Sequence, residues 1–360
     1  MMMIKNTTQW LSMALFNNKN MFAFLEPLLQ KPFPAYSVKK YRAKVMQVRD
    51  ENKEVYTLVL KVNRLWKGFK AGQFVELVVE QSGAKISRFF SISSSPNLFK
   101  SHRLIEITIQ KQMNGRITPW LCETLKVGQY LSVSSAKGEF SICNKTKPLL
   151  LIAAGSGITP FRSMLAGYSH ETDVQLMYYA KDSQHLFVKE LKDYEKSNKH
   201  ISVAFMNSSE KGRISQNHLQ AECPDFTQRQ VYICGPGPMI ESSKQLLLNN
   251  NMSVENVHYE YFGAKPVEEI STDIAGVVSF ERSTIKAVVN INSKNTLLEL
   301  AESSGLKPVT GCRMGICHQC ICQKKQGVVY NTLTKTYSDT GYEEVQLCVS
   351  VPVGDVSINL

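Results

Sequence analysis

The chain has 360 residues, 43% of them hydrophobic, with nine cysteines and a formal net charge of +11. This length accommodates two or three domains, the hydrophobic share is that of an ordinary globular protein, and cysteines without a pairing pattern exclude a disulfide-stapled scaffold. The charge is uneven: eight Lys/Arg against ten Asp/Glu from Glu268 onward give −2, which leaves +13 on the preceding 267 residues. A basic excess suits nucleic acid, an anionic membrane or anionic small molecules, and with no nucleic-acid motif in the sequence the last two lead.

Residues 1–36 carry two apolar runs, 10–16 and 21–25, split by Asn17-Asn18-Lys19-Asn20. Neither approaches the ~20 residues that cross a bilayer. Two readings stand: an interfacial helix pair in peripheral contact with a membrane, or a segment packed on the next domain. Pro27, Pro32 and Pro34 then break any helix.

From 37 to 146 the pattern is strand-like, with β-rich runs at 55–60, 74–79 and 104–109 and Gly72, Gly83, Gly115, Gly128 and Gly138 between them. Short strands with Gly turns predict a small antiparallel β-barrel. From 147 to 264 the rhythm changes. The run 149–154 is continuously apolar, as a strand buried on both faces must be. Further strands at 174–179, 201–205 and 230–234 alternate with helical stretches, which predicts an α/β doubly wound parallel sheet. Residues 265–273 read as a linker. Residues 274–360 form a third, α+β unit: strands at 277–281 and 287–291, a helix over 296–303, then a cysteine-rich loop.

That loop holds Cys312, Cys317 and Cys320, and Cys348 follows 28 positions later. The spacing C-x4-C-x2-C…C is that of a plant-type [2Fe–2S] cluster, with Gly315 giving the loop room to fold over it. A zinc site would show two paired C-x2-C knuckles or His partners, and the second knuckle is missing. His318 reads as a loop residue and Cys322 as a buried strand thiol. No secretory signal with a cleavage site opens the chain, so reduced thiols and a cluster point to the cytoplasm. The apolar opening segment adds the inner face of the membrane as a peripheral location.

Five further strings carry chemistry. Arg88-Phe89-Phe90-Ser91 offers a diphosphate partner, a ring to lie on a flavin and a hydroxyl for its N5 edge. An ordinary strand with a surface Arg is the alternative. Gly115-Arg116-Ile117-Thr118 precedes a helical stretch that Thr118 is positioned to cap, with or without a phosphate at its N-terminus. Gly155-Ser156-Gly157-Ile158-Thr159-Pro160 joins the buried strand to a helix, where Gly lets backbone N–H groups approach a pyrophosphate. Cys234-Gly235-Pro236 ends a strand on the same sheet edge, either beside a nicotinamide or as a plain buried residue. Glu260-Tyr261-Phe262 closes the α/β unit, with a carboxylate to assist proton movement and an aromatic to shield a flavin, or as an edge strand.

Taken in order, these strings resemble the ferredoxin–NADP⁺ reductase superfamily motifs R-x-Y-S, G-x-x-S, G-x-G-x-T-P and C-G-P-x-x-M. With the C-terminal cysteine loop, residues 37–360 resemble three-domain reductases of oxygenases and desaturases. The opening segment and Trp66-Lys67-Gly68-Phe69 look more narrowly like bacterial ferredoxin reductases that serve stearoyl-CoA or fatty-acyl desaturases. The resemblance implies an antiparallel flavin barrel, a nucleotide domain and a β-grasp ferredoxin domain, holding FAD, NAD(P)H and the cluster. It implies that Arg88, Phe90, Ser91, Gly115 and Thr118 hold the flavin, and that Gly155, Gly157, Thr159, Pro160, Cys234 and Gly235 hold the nicotinamide nucleotide. Glu260 and Phe262 would lie against the flavin, with Ser91, Cys234 and Glu260 nearest the chemistry. Phe90 stands where the superfamily has Tyr and Thr118 where it has Ser, and the Gly115–Thr118 element favours FAD over FMN. The implied activity is hydride transfer from NAD(P)H to FAD, then single electrons through the cluster to a di-iron oxygenase. A membrane fatty-acyl desaturase leads for that partner, with a soluble ring-hydroxylating oxygenase second and a redox-sensing module as the other class. Lys181 beside Asp182 leaves NADH against NADPH open.

Overall fold

The computed structural model describes residues 41–81, 84–112, 117–142, 146–166, 168, 171–261, 276–289, 295–334, 336–338 and 340–360, with Leu29 alone before them. The apolar opening segment, the 265–273 linker, Gly115 and Phe262 lie outside the described residues. Among the described residues no helix is long and apolar enough to cross a membrane.

The first unit is an antiparallel sheet of six strands: β1 (Tyr41–Asn52), β2 (Val55–Val62), β3 (Phe74–Gln81), β4 (Ala84–Ser91), β5 (Leu104–Gln110) and β6 (Tyr130–Val133). Their spatial order is β4-β3-β6-β1-β2-β5, and an isolated bridge between Ile92 and Ile107 brings the two outer strands together. The sheet therefore curls into the predicted barrel. Period-two alternation sends Leu58, Leu60, Ile105, Ile107 and Ile109 into its core. The opposite face of β5 is buried too, yet polar: Glu106 and Thr108 are 6% exposed. Thr108 shares hydroxyl contacts of 2.9 Å with Thr57 and with Ser93. A buried polar face on a barrel strand needs a cover, and the second unit supplies it.

That unit is a parallel sheet of β7 (Leu149–Ala154), β8 (Val174–Ala180), β9 (Ile201–Asn207), β10 (Gln230–Gly235) and β11 (Val257–Tyr261), ordered β11-β10-β7-β8-β9. Leu149, Leu151 and Ala153 enter one core and Leu150 and Ile152 the other, so both faces of β7 are covered. Strand order reverses between β7 and β10, the crevice where open α/β sheets bind ligands. The helix after β7, Ile158–Leu165, is buried along its whole length, including Arg162 and Ser163. Ser163 Oγ donates to the Ser94 carbonyl at 2.6 Å, and Arg162 Nη1 meets Glu106 Oε2 at 2.6 Å, which joins the two units through polar groups.

The third unit pairs β12 (Gly276–Phe280) antiparallel with β13 (Ile285–Val289) and parallel with β17 (Ser350–Ile358). β17 runs antiparallel to β14 (Ile321–Asn331), which also pairs with the short strands β15 (Thr336–Tyr337) and β16 (Glu343–Gln346). The helix Leu297–Ser303 lays Leu297, Leu298, Leu300 and Ala301 on this sheet. Thr296 and Glu299 form a capping box at its start. The fold is the one expected: an antiparallel barrel, a doubly wound parallel sheet and an α+β unit.

Candidate functional site

The three units meet around a cavity of about 930 Å³ whose wall includes Arg88, Phe90 and Ser91 from the barrel, Thr159 and Glu260 from the α/β unit, and Cys312 from the third unit. Arg88 Nη1 donates to the Ser87 carbonyl at 2.8 Å and reaches toward the Thr310 carbonyl at 3.5 Å. Phe90 packs half-buried on the barrel core. Thr118 also lines the cavity, but it does not cap its helix. The helix is Thr118–Glu123, Ile117 stands at its N-cap without a side-chain bond, and the Thr118 hydroxyl accepts the Gln112 N–H at 3.0 Å. Thr118 is already the first helical residue ahead of Pro119, so the preceding loop takes its hydroxyl.

Gly155 and Gly157 form a short 3-10 turn that runs into the helix Ile158–Leu165. A Cβ on Gly157 would lie 2.2 Å from the Cys234 carbonyl oxygen, so only glycine lets this turn rest on β10. Pro160 is buried in the first helical turn, where its missing N–H leaves no bond unmade. Thr159 Oγ1 donates to the Ser156 carbonyl at 3.0 Å.

Parallel pairing of β10 with β11 sets Cys234 opposite Glu260, with Gly235 buried beside them. Cys234 is wholly buried and is absent from the cavity wall. Burial, then the nearby Glu260, pushes its thiol well above its ordinary value. Burial likewise pushes the Glu260 carboxyl up to about 8, against a hydrogen bond from Ser91 that lowers it. Glu260 Oε2 is enclosed and has no partner. Ser91 and Glu260 thus face the cavity as a pair, and Cys234 lies behind them.

The raised carboxyl has a thermodynamic consequence. A Glu near 4.5 in the unfolded chain and about 8 in the fold binds its proton more tightly when folded. Its contribution to stability is complete below 4.5 and is lost as pH rises through about 8. The unfolding free energy from urea titration should therefore fall between pH 5 and 8.5 by an amount on the order of 3–5 kcal/mol. Glu260→Gln should flatten that slope, and an unchanged slope would remove Glu260 as its source.

In the third unit the four predicted sulfurs fall into two pairs. Cys320 Sγ lies 3.2 Å from Cys348 Sγ, and Cys317 Sγ accepts the Cys312 N–H at 3.2 Å. Cys312 Sγ accepts N–H groups of Met314, Ile316 and Cys317 at 3.3–3.4 Å. A hydrogen bond from Cys317 and these backbone donors hold the Cys312 thiol below its ordinary value. Among the described residues no three His, Cys, Asp or Glu converge as one metal ion requires. Two adjacent thiol pairs instead match two irons with two thiolates each. Gly315, at φ 76°, sits where a Cβ would press on Leu333 and Val349 at 3.0 Å. His318 is held by Gln346 at 2.9 Å, as a loop residue would be. Cys322 is half-buried rather than buried, because β14 turns it toward the Asn359 carbonyl, 3.2 Å away.

Sequence reasoning missed Arg162, Glu106 and Gln319. A single charged residue inside the otherwise uncharged stretch 158–165 was the available signal for Arg162. Glu106 and Gln319 gave none, since their partners are remote in sequence.

Family models match this chain in three consecutive stretches: an oxidoreductase FAD-binding domain at residues 42–142, an oxidoreductase NAD-binding domain at 151–245 and a 2Fe-2S iron-sulfur cluster binding domain at 281–353. The chain is 30% identical over 326 residues to the NADH oxidoreductase HCR of Escherichia coli, covering 88% of this chain and 96% of that protein. It is 29% identical over 330 residues to a glycine betaine monooxygenase reductase subunit of Chromohalobacter salexigens, covering 81% and 87%. Among solved structures, phthalate dioxygenase reductase shares the fold, with TM-score 0.60, 19% identity and coverage of 89% of this chain and 98% of that one. The chain belongs to the family of ferredoxin-reductase-type oxidoreductases that join an FAD-binding, an NAD-binding and a 2Fe-2S domain in that order.

Proposed function

We propose that this chain is the NAD(P)H-dependent reductase of an oxygen-activating system, passing electrons through FAD and a [2Fe–2S] cluster to a separate partner. The observation that carries this reading is one cavity bordered both by Ser91 and Glu260 and by Cys312 and Met314 of the cysteine loop. When bound, the nicotinamide supplies a hydride, the flavin accepts the electron pair and releases it singly, and the cluster carries one electron at a time.

The chain's own residues bind, orient and hold a proton. The Arg88 guanidinium supplies fixed positive charge for a diphosphate. Phe90 offers a ring face, and without the hydroxyl of Tyr it orients by packing alone. Thr118 keeps a hydroxyl on the cavity wall. The bare Gly155–Gly157 turn lets its backbone approach a pyrophosphate, with Thr159 and Pro160 opening the helix behind it. Glu260 holds a proton on its carboxyl near neutral pH, and the bonded Ser91 hydroxyl fixes that carboxyl's direction. Cys234 backs the Ser91–Glu260 pair from behind as a buried neutral thiol beside Gly235. Cys312 with Cys317, and Cys320 with Cys348, would hold the cluster.

The name of the Chromohalobacter relative supports a monooxygenase as acceptor. The apolar runs at 10–16 and 21–25 and the +13 charge of the first 267 residues favour an acceptor at an anionic membrane, a fatty-acyl desaturase being the finer expectation.

The test is anaerobic titration with NADPH and then NADH, followed by electron paramagnetic resonance of the reduced protein. The expected result is bleaching of flavin and cluster together, with a [2Fe–2S] signal, by the preferred nucleotide. Cofactors that neither nucleotide reduces would sink the reading. Turnover of a membrane desaturase against a ring-hydroxylating oxygenase, with the reduced chain as sole donor, separates the two acceptors.

A further inference from the structure

We propose that Gln319 seats the cysteine loop on the barrel, and that this seat sets the rate at which electrons leave the flavin for the cluster. Gln319 lies inside the C-x2-C step, between Cys317 of one thiol pair and Cys320 of the other. Its carboxamide crosses the seam between units: Nε2 donates to Glu76 Oε1 at 2.5 Å, and Oε1 accepts from Ser87 Oγ at 2.9 Å. Glu76 and Ser87 are each 5% exposed. Ser87 pairs with Val78 across β3 and β4, so Glu76, two residues before Val78, is its diagonal neighbour on one face. The barrel thus presents an acceptor and a donor side by side, and a carboxamide presents the matching donor and acceptor. A carboxylate in this place would face the Glu76 carboxylate, and an apolar side chain would leave two buried polar groups without this partner.

The seat is coupled to both ends of the relay. Ser87 immediately precedes Arg88, Phe90 and Ser91 on the cavity-lining strand, while Gln319 is flanked by two of the thiols. Thiol chemistry alone does not call for glutamine at this position, because the cysteines hold the iron. The carboxamide instead fixes the loop against the strand that borders the flavin side. The inference rests on the proposed relay, in which the flavin loses one electron and the cluster gains one, with no atom transferred.

The test uses the full-length, cofactor-loaded protein and follows flavin and cluster absorbance separately in anaerobic stopped flow. Amide hydrogen exchange of segments 74–79 and 310–320 reads the seat without turnover. Gln319→Glu should leave flavin bleaching by the nucleotide unchanged, slow cluster reduction by a factor on the order of ten or more, and speed exchange in both segments. Adding Glu76→Gln exchanges donor and acceptor across the seam and should restore both readouts. Ser87→Ala leaves the cysteine loop intact and should shift both in the same direction by less, which keeps the test decisive should Gln319→Glu lose iron. Unchanged exchange in the variants, or faster exchange with cluster reduction at the wild-type rate, overturns the seat while the relay stands. If neither nucleotide reduces the wild-type cluster, the relay falls and the seat's role falls with it.

Discussion

Cys320→Ala is expected to strip the chain of its cluster while leaving nucleotide oxidation at the flavin intact. Cys320 is 3% exposed and its sulfur lies 3.2 Å from that of Cys348, so the substitution removes one member of a close thiol pair. One iron would then keep a single protein thiolate. Iron content and the visible bands of the cluster should fall to background, and so should reduction of acceptors that draw on it. Reduction of a dye that accepts directly from flavin should persist. Cys322→Ala, two residues away, is the matched control. Its sulfur is engaged by the Asn359 carbonyl on the strand pair, and the variant should keep full iron content. Retention of the cluster by Cys320→Ala would show that the two thiol pairs are not its ligands.

The second large effect belongs to Arg162→Met. Arg162 and Glu106 are 8% and 6% exposed, and Nη1 meets the carboxylate at 2.6 Å. Burial pushes the Glu106 carboxyl up, but Arg162 and then Arg49 hold it below its ordinary value. Arg162 Nε also meets Glu190 at 2.9 Å, and the guanidinium lies 4.4 Å from the Phe187 ring centre. Removing the cation leaves Glu106 enclosed with only the more exposed Arg49, a loss of about 3–5 kcal/mol. The urea midpoint should drop accordingly. Glu106→Gln combined with Arg162→Met should recover part of the loss, because no lone charge then remains buried. A single variant as stable as wild type would mean that water reaches this seam.

Much of this architecture was legible before any coordinates. Continuous apolar character at 149–154 specifies a strand covered on both faces, and β7 feeds two cores. The cysteine spacing specified which sulfurs meet, because three sit on one short loop and the fourth enters from the neighbouring end of β17. Ser91 and Glu260 are 169 positions apart, yet both were marked by local strings. What stayed hidden depends on surfaces that meet only in three dimensions. Thr118 looked like a cap because its neighbours are helical, and the Gln112 N–H that takes its hydroxyl belongs to the preceding loop. Cys234 stood at the right strand end, but β10 turns it inward against Glu260. Glu106 reads as the solvent-side residue of an alternating strand, and only the packed helix beside it explains its burial.

The polar face of β5 also bears on how the protein is made. The FAD-binding stretch precedes the NAD-binding stretch in the chain, so the barrel emerges from the ribosome first, and N-terminal domains generally fold first. Glu106 is then complete 56 residues before Arg162 exists. In that interval Arg49, on the same barrel, is its available counter-charge, and Ser93, Ser94 and Thr108 stand open to water beside it. The nascent barrel therefore presents a hydrated, acidic face where an apolar one would invite aggregation, and it exchanges water for guanidinium only when the next unit arrives.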